Sequence, residues 1–544
     1  MAIGTLGSPQ TPDLHNLPDL VLDKILSFLP TKAAVQVSFP SKQWQGVVTS
    51  FPTLNFNEHD DFERHLGAYF HRQRQHLKFI NFLEGYLDFR NKYCQKEPLD
   101  KLSLHMRLYW YPEDDNIITK WLRYACQIGL KELDIYPDFE AQFDGASVTE
   151  HLVKSECPPE YLLYNDFYRL SLIAIASAKS LTSLKLGCVK VPELQRVGVV
   201  QPPPLFLSLK ILSLKAVRVD TDQALYSVLR ECPSIAYLSL AYCSIGNSKC
   251  YLCCSSLKYL EVKFCGVDDI RVDQAFNLES FSFVSKRYSK CENMILNSAF
   301  NLKCINVSVH YIGEFSLLGC HRALEASIKS KRIRRFEFYD GYLSAKLSFK
   351  DQSHETIIDE ATILVGELWD QERLSSDSTY VPRLVSFIKS FSRCKEVSLY
   401  NKKVQALTVF KNYRKMTSLP PLPVTSTLLV GMPNPPVVGS RDFIELEDSL
   451  RWIAPSAKLL IMPVDVEEDR KKGNASRKNL RIENFIGKEL RMSSHLIILY
   501  HPDVSKEEGV SENGRSVVEE SDLEEEGLAV QEAARSGAEH WLLF

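Results

Sequence analysis

The residue types that could do chemistry are scattered along this chain. Fourteen cysteines stand among 544 residues. Cys250-x-x-Cys253, with Cys254 beside it, has the spacing of half a zinc site, but no second ligand pair stands at zinc-finger distance. A turn with buried thiols is the expected role. His71 and His76 fall five apart on a predicted helix, one more than the spacing that puts two ligands on one face. There is no phosphate-binding loop of the Walker type, no GxGxxG after a strand and no GxSxG. The expectation is a protein with no catalytic residue, no metal and no cofactor, which acts by binding.

The bulk composition agrees with a binding role. Apolar residues make up 45% and charged residues 24%, as in soluble globular proteins. The formal net charge of −3 gives no general attraction to nucleic acid or membrane. No run of about 18 apolar residues is present. Residues 1–12 are small, neutral and twice interrupted by proline, and read as a disordered N-terminus, not a signal peptide. The cysteines are then expected as reduced thiols in the cytoplasm or nucleus, and the sequon Asn474-Ala475-Ser476 as a chance match. The length exceeds the roughly 250–300 residues at which one core stops growing, so several domains or a repeat array are expected.

Residues 13–50 hold the densest signal. Pro18 suits a first helical turn, and Leu22, Ile25, Leu26 and Leu29 recur at helical spacing until Pro30 stops the helix. Thr31 can cap a second helix through Ala33, Ala34, Val35 and Val37. Pro40 and Ser41 open a third with Trp44, Val47 and Val48. The first helix is apolar almost all round, which is more than one neighbour can bury. Such a surplus implies a partner.

The run Leu17-Pro18-Asp19, Leu22, Ile25-Leu26-Ser27-Phe28-Leu29-Pro30-Thr31-Lys32, Ala34-Val35, Ser38, Ser41-Lys42, Trp44 closely resembles the F-box of the large plant F-box/leucine-rich-repeat family. The resemblance implies a three-helix bundle that docks on a Skp1-like protein, which in turn binds a cullin. Leu17, Pro18, Ile25, Leu26, Leu29, Pro30 and Val35 would be the Skp1-facing set, with Trp44 between the F-box and the next domain. Leu20 and Ala33 stand where the family often has acids, and Pro40 where it usually has leucine.

From residue 51 to 465 a second pattern returns, L-x-x-L-x-L. Its segments end at Leu104, Ile135, Leu186, Leu214, Leu240, Val262, Phe283, Val307, Phe338 and Leu399, and the intervals from Leu186 to Phe338 are 28, 26, 22, 21, 24 and 31. That period predicts a leucine-rich-repeat solenoid, an α/β fold with parallel strands on the concave face, irregular after about residue 340. Cys188, Cys243 and Cys265 stand just past three of these strands, at the position that helps hold the turn. Residues 62–93 predict a long helix, Asp222 to Leu229 and Phe443 to Trp452 shorter ones, Leu54 and Phe56 a first strand, and Leu459 to Met462 a last one.

Between the core positions lie Ser183, Lys185, Ser213, Lys215, Tyr237, Ser239, Tyr259, Glu261, Lys263, Glu337 and Tyr339. Tyr237, Tyr259, Glu261, Lys263, Lys185 and Lys215 are the candidate substrate-binding residues, because tyrosines dominate protein recognition surfaces. Prolines between 415 and 440 predict a loop. Residues 466–500 are a basic connector and terminal segment. From 501 to 544 there are 12 acidic and 3 basic residues, which predicts a disordered tail.

The resemblance implies a non-catalytic substrate adaptor of a Skp1–cullin–F-box ubiquitin ligase, cytoplasmic or nuclear, with an unknown protein substrate. Two other readings fit: a Skp1-associated binding protein outside any ligase, or a small-molecule-sensing F-box/LRR receptor, although no residue pattern marks a ligand pocket.

Overall fold

The computed structural model describes residues 17–38, 48, 51–58, 69–93, 98–107, 114–138, 168–169, 175, 177–187, 189–191, 204–219, 221–286, 289–319, 324–340, 346–349, 356–365, 380–401, 420–432, 434–463, 497–499 and 515–516. It divides into two compact units, Met1–Arg287 and Tyr288–Phe544. None of the helices among the described residues is long and apolar enough to cross a membrane.

The first unit opens with helices α1 (Asp19–Leu26) and α2 (Thr31–Ser38). The repeats begin at β1 (Thr53–Asn57), followed by helix α3 (Tyr69–Tyr93), β2 (Lys101–Arg107), helix α4 (Asp114–Gln127) and β3 (Glu132–Asp138). Then come β4 (Tyr168–Arg169), β5 (Ser183–Gly187), β6 (Val189–Val191), β7 (Ile211–Lys215), β8 (Arg218–Val219), helix α5 (Asp222–Arg230), β9 (Tyr237–Ala241) and β10 (Ser244–Ile245). β11 (Lys249–Cys253), β12 (Tyr259–Lys263), β13 (Asp269–Asp273) and β14 (Ser280–Val284) complete the unit.

Its front sheet runs β1-β2-β3-β5-β7-β9-β12-β14, every pair parallel. Each strand alternates apolar and polar residues, so one face enters the core and the other stays wet. The inward row Leu102, Leu133, Leu184, Leu212, Leu238, Leu260 and Phe281 is fully buried. Thr221 caps α5 by accepting from the Ala224 N–H, and Leu225, Val228 and Leu229 pack inward from it.

The second unit contains β15 (Lys290–Asn297), β16 (Cys304–Ser308), β17 (Tyr311–Leu318), β18 (Glu325–Lys329), β19 (Arg332–Asp340), β20 (Lys346–Phe349) and β21 (Ile357–Val365). Helix α6 (Tyr380–Lys389), β22 (Glu396–Asn401), β23 (Thr427–Met432), helix α7 (Arg441–Ile453), β24 (Lys458–Pro463), β25 (Ile497–Leu499) and β26 (Arg515–Ser516) follow. Two sheets share the work here. β16-β18-β20 form one, and β15-β17-β19-β21-β22-β23-β24-β25-β26 the other. Beyond β20 the helices supply the facing layer. Phe387 and Phe391, from α6 and the turn after it, pack on Phe338 and Phe336 with ring centroids 5.1 and 5.5 Å apart.

Three expectations need correction. The segment Ile333-Phe336-Phe338 does not continue the series that ends at Val307. It lies on β19, in the other sheet. The partner of Val307 is Ile328, 21 residues on, in β18, where Ala326 stands at the leucine position and hides the pattern. Glu337 is consequently not beside the tyrosines, and it is buried, accepting from Ser316 Oγ at 2.9 Å. Tyr339 lies on the same strand. Leu459 to Met462 is strand β24 but not the last, since β25 pairs antiparallel with it and β26 with β25. Arg515–Ser516, inside the stretch expected to be disordered, thus pairs with Leu499 and Ile498, which extend the sheet edge.

Candidate functional site

The first candidate surface is built by α1. The 3.6-residue period divides it into two faces. Leu22 and Leu26, four apart, are fully buried and form its inner face, and Ala34 of α2 is buried too. Pro18, Val21, Ile25 and Phe28 form a stripe on the exposed side, and Leu20 flanks it. Leu20 is 82% and Phe28 75% exposed, which is unusual for side chains of their size. Lys24 places its ammonium 5.3 Å from the centre of the Phe28 ring. Val37 extends the apolar surface onto α2.

The sequence-predicted docking set divides accordingly. Pro18 and Ile25 are exposed; Leu17, Leu29, Pro30 and Val35 are half-buried. Leu26 is 0% exposed and belongs to the interior. Leu20, Val21 and Phe28 belong to the surplus apolar surface of the first helix but stand outside that set, although the helical wheel places them away from Leu22 and Leu26; Val37, also outside it, joins them from α2. Pro40 and Trp44 lie outside the described residues.

This helix pair is tied to the repeats. Thr31 is the first residue of α2, and its buried Oγ1 accepts from the Asn55 N–H of β1 at 2.7 Å. Tyr86 on α3 donates to the Val48 carbonyl at 2.9 Å. The fully buried guanidinium of Arg90, also on α3, donates to the Phe51 carbonyl at 2.7 Å. His76 of α3 and Glu58 meet at 3.2 Å, both buried. The side chain of His71 is not described.

The second candidate surface is the outward face of the front sheet. Register aligns Ile211, Tyr237, Tyr259 and Ser280 in one row, and Asp134, Lys185, Ser213, Ser239, Glu261 and Ser282 in the next. A third row carries Lys215, Ala241, Lys263 and Val284. Neighbours in a row stand about 4.8 Å apart. Ile211, Tyr237 and Tyr259 therefore make a continuous strip, with Tyr259 43% exposed. Tyr237 is half-buried; burial first, then the nearby Glu261 carboxylate, pushes its phenol pKa upward. Lys263 is not an independent charge, since its Nζ pairs with Glu261 at 2.9 Å. Lys185 is exposed between Asp134 and Ser213, and Lys215 is half-buried between Gly187 and Ala241.

Sequence reasoning missed a second aromatic pair at the other end of the same strands. Tyr242 and Phe264 directly follow β9 and β12, and their rings stack with centroids 5.1 Å apart and planes 22° apart. Each has a positive φ, 56° and 55°, as does Ala216 (51°) after β7. That region disfavours side-chain-bearing residues. Here it is offset by a ladder: the N–H groups of Ala216, Tyr242 and Phe264 donate to the carbonyls of Ala241, Lys263 and Val284.

The cysteines that follow turn inward. Cys243 Sγ donates to the Leu214 carbonyl at 3.3 Å, and Cys265 Sγ to the Leu240 carbonyl at 3.5 Å, so each thiol satisfies a carbonyl of the preceding repeat. Cys188 lies outside the described residues. In the Cys250-x-x-Cys253 pair, strand alternation buries Cys250 and exposes Cys253. The two point to opposite faces of β11, which separates them as ligands.

The F-box domain model matches residues 14–55. A second model, described as FBD-associated F-box protein At5g56370, LRR repeats, matches residues 152–320. The chain is thus similar to F-box proteins at its N-terminal helices and to F-box-associated leucine-rich repeats over residues 152–320. Its relatives in Arabidopsis thaliana include an FBD-associated F-box protein, At5g56690, 28% identical over 42% of this chain and 46% of the relative. The F-box protein At4g27050 is 27% identical over 43% of this chain and 54% of the relative. The F-box/LRR-repeat protein At1g48400 is 30% identical over 23% of this chain and 24% of the relative. The chain thus spans about half, or less, of the length of the curated relatives it matches. The surfaces described above are the F-box helix α1 and the strands β7, β9 and β12 of the repeats.

Proposed function

We propose that this F-box/LRR chain is the substrate-receptor subunit of a Skp1–cullin–F-box ubiquitin ligase. The stripe Pro18, Val21, Ile25 and Phe28 docks on a Skp1-like protein, and the Ile211–Tyr237–Tyr259 strip holds a protein substrate. The chain itself performs no chemistry. It raises the local concentration of a substrate lysine near the site of ubiquitin transfer. It acts in the cytoplasm or nucleus, a reading supported by the ten described cysteines, all unbridged.

One observation carries this reading: a helix matched by the F-box model buries Leu22 and Leu26 inside its own unit and still exposes a full apolar stripe. An aromatic strip on a parallel sheet is the second support, since side chains held on paired strands lose little entropy on binding. The test is affinity purification of the full chain with mass spectrometry. Recovery of a Skp1-like protein together with a cullin is expected; recovery of the Skp1-like protein with no cullin would place the chain outside a ligase. Tyr237→Ala with Tyr259→Ala should leave Skp1 recovery intact and lower recovery of co-purifying substrates at least tenfold, a loss of about 1.4 kcal/mol or more. Unchanged substrate recovery would move the recognition surface away from this strip.

A further inference from the structure

In the second unit, the edge where the chain passes from one sheet to the other carries an unbalanced charge. Lys329, Lys331, Arg332, Arg334 and Arg335 stand within seven residues, with no acid among them. The segment leaves β18 at Lys329, turns at Ser330 and enters β19 at Arg332. The turn is firmly held. Ser330 is buried, and its Oγ lies 3.2 Å from the His310 carbonyl and 3.1 Å from the Arg332 carbonyl. The Lys331 N–H donates to the His310 carbonyl at 3.1 Å, and the Lys331 carbonyl accepts from the Ile357 N–H at 3.1 Å. With Ser330 and Ile333 turned inward, Lys329, Lys331 and Arg334 are exposed.

Two of these five cations are already engaged, Arg332 with Asp359 and Arg335 with Glu360. Lys395, at the start of the neighbouring β22, also pairs with Asp359. Lys329, Lys331 and Arg334 pair with no carboxylate among the described residues. From Lys329 to Arg334 the chain spans at most about 18 Å. Three like charges so close repel one another, and an anion laid across them removes that repulsion. Their backbone is fixed by the turn, so only side-chain freedom is lost on binding.

We propose that this edge docks an extended acidic segment of a partner protein, with carboxylates against Lys329, Lys331 and Arg334. About six extended residues carrying three acids cover the span. Nucleic acid fits less well. Tyr311, the aromatic ring aligned with Arg332, is covered by Lys290, whose Nζ lies 6.0 Å from the ring centre, so it is not open to stack a base. The net charge of −3 also repels a long polyanion. The chain's own acidic run, Glu519 to Glu526, fits less well again. It follows β26, which stands six strands from β19, about 29 Å at 4.8 Å per strand. An extended chain gains at most about 3.6 Å per residue, so Glu519, Glu520 and Asp522 end short of β19. The inference goes beyond the Skp1-docking stripe and the tyrosine strip and rests on neither.

The experiment uses the full chain and a fluorescent peptide of sequence Glu-Ser-Glu-Ser-Ser-Glu, read by anisotropy at low salt. The peptide should bind, and its twin with glutamine for glutamate should bind at least tenfold more weakly. Raising the salt to about 0.5 M should weaken the acidic peptide alone, because these charges are exposed. Lys329→Gln with Lys331→Gln and Arg334→Gln should weaken it at least tenfold and leave the melting temperature unchanged. Three lysines exposed elsewhere serve as the control for lost net charge: Lys78→Gln, Lys179→Gln and Lys258→Gln together should leave affinity within twofold. A glutamine twin that binds equally well, or a triple variant of the edge that binds like the parent, overturns the proposal. So does an oligouridylate that binds more tightly than the peptide, which would make the edge a nucleic-acid surface. Glu524→Gln with Glu525→Gln and Glu526→Gln should not change affinity; a tenfold gain would make the chain's own tail the occupant and overturn the assignment to a partner. None of these readouts depends on Skp1 recovery, so either reading can fail alone.

Discussion

Single side chains on α1 separate two jobs that their residue types alone do not distinguish. Leu22 and Leu26 hold the module together, whereas Val21 and Phe28 face out. Val21→Asp with Phe28→Asp should therefore abolish Skp1 binding in pull-down with little change in melting temperature, because neither residue leaves a core. Leu26→Ala should act the other way, destabilising the module by about 2–5 kcal/mol through lost burial and a residual cavity. If the aspartate pair binds Skp1 normally, the outer stripe is not the docking face. The thiols make a second residue-scale prediction. Burial pushes Cys126 up to about 11, and Cys232, Cys250 and Cys394 up to about 12. At pH 8 these groups hold almost no reactive thiolate. Iodoacetamide should label exposed Cys304 and Cys253 first and spare the other described cysteines until denaturant is added, as read by peptide mass spectrometry. Early labelling of Cys250 would contradict the packing of β11.

At the scale of elements, much of the front sheet was legible. Its strands carry large apolar residues, most often leucine, at both inward positions, so the alternation and the period stood out from Leu102 to Val307. The second sheet was not legible. Its strands, such as Lys290–Asn297, bury a mixture of Cys291, Met294 and Leu296, and the intervening segments read as ordinary loops. The aromatic pair Tyr242–Phe264 was hidden for another reason: its placement depends on a positive φ that residue type does not announce. Cross-strand ionic ties were likewise invisible, since they join residues far apart in sequence. Asp359 accepts from Arg332 Nε at 2.6 Å and pairs with Lys395 at 3.1 Å, tying β19 and β21 to the start of β22. Burial alone would raise its pKa, but the hydrogen bonds from Arg332 and Lys395 outweigh that and hold it below the ordinary carboxylate value. A depressed carboxyl contributes stability above its unfolded pKa and loses it as pH falls through the folded value. Asp359→Asn should thus lower stability at pH 7 modestly, since both cations are more than half exposed. The difference from the parent should shrink below about pH 4. Urea midpoints across pH 3 to 7 measure this; a difference that stays constant with pH would mean the ion pairs contribute nothing.

For the whole molecule the consequence of repetition is that stability is passed from neighbour to neighbour. Parallel strands in each unit pair with the next repeat on either side, and long-range order is a sum of these contacts, as in other repeat proteins. Damage should then spread along the array with declining effect instead of unfolding every repeat at once. Phe336 offers the cleanest test. It is fully buried on β19 and touches Phe315, Phe349 and Phe391, which come from β17, β20 and the turn after α6. Phe336→Ala removes the shared contact of three elements and should cost about 3–5 kcal/mol locally. Hydrogen exchange of the variant should show lost protection in β17, β19, β20 and β21, a smaller loss in β15 and β22, and none in β1, β2 and β3. Skp1 binding by the α1 stripe should persist, because Thr31, Tyr86 and Arg90 anchor that module to β1 and its surroundings within the first unit. Uniform loss of protection across the chain would show a single cooperative core, and the neighbour-to-neighbour account of this fold would have to be given up.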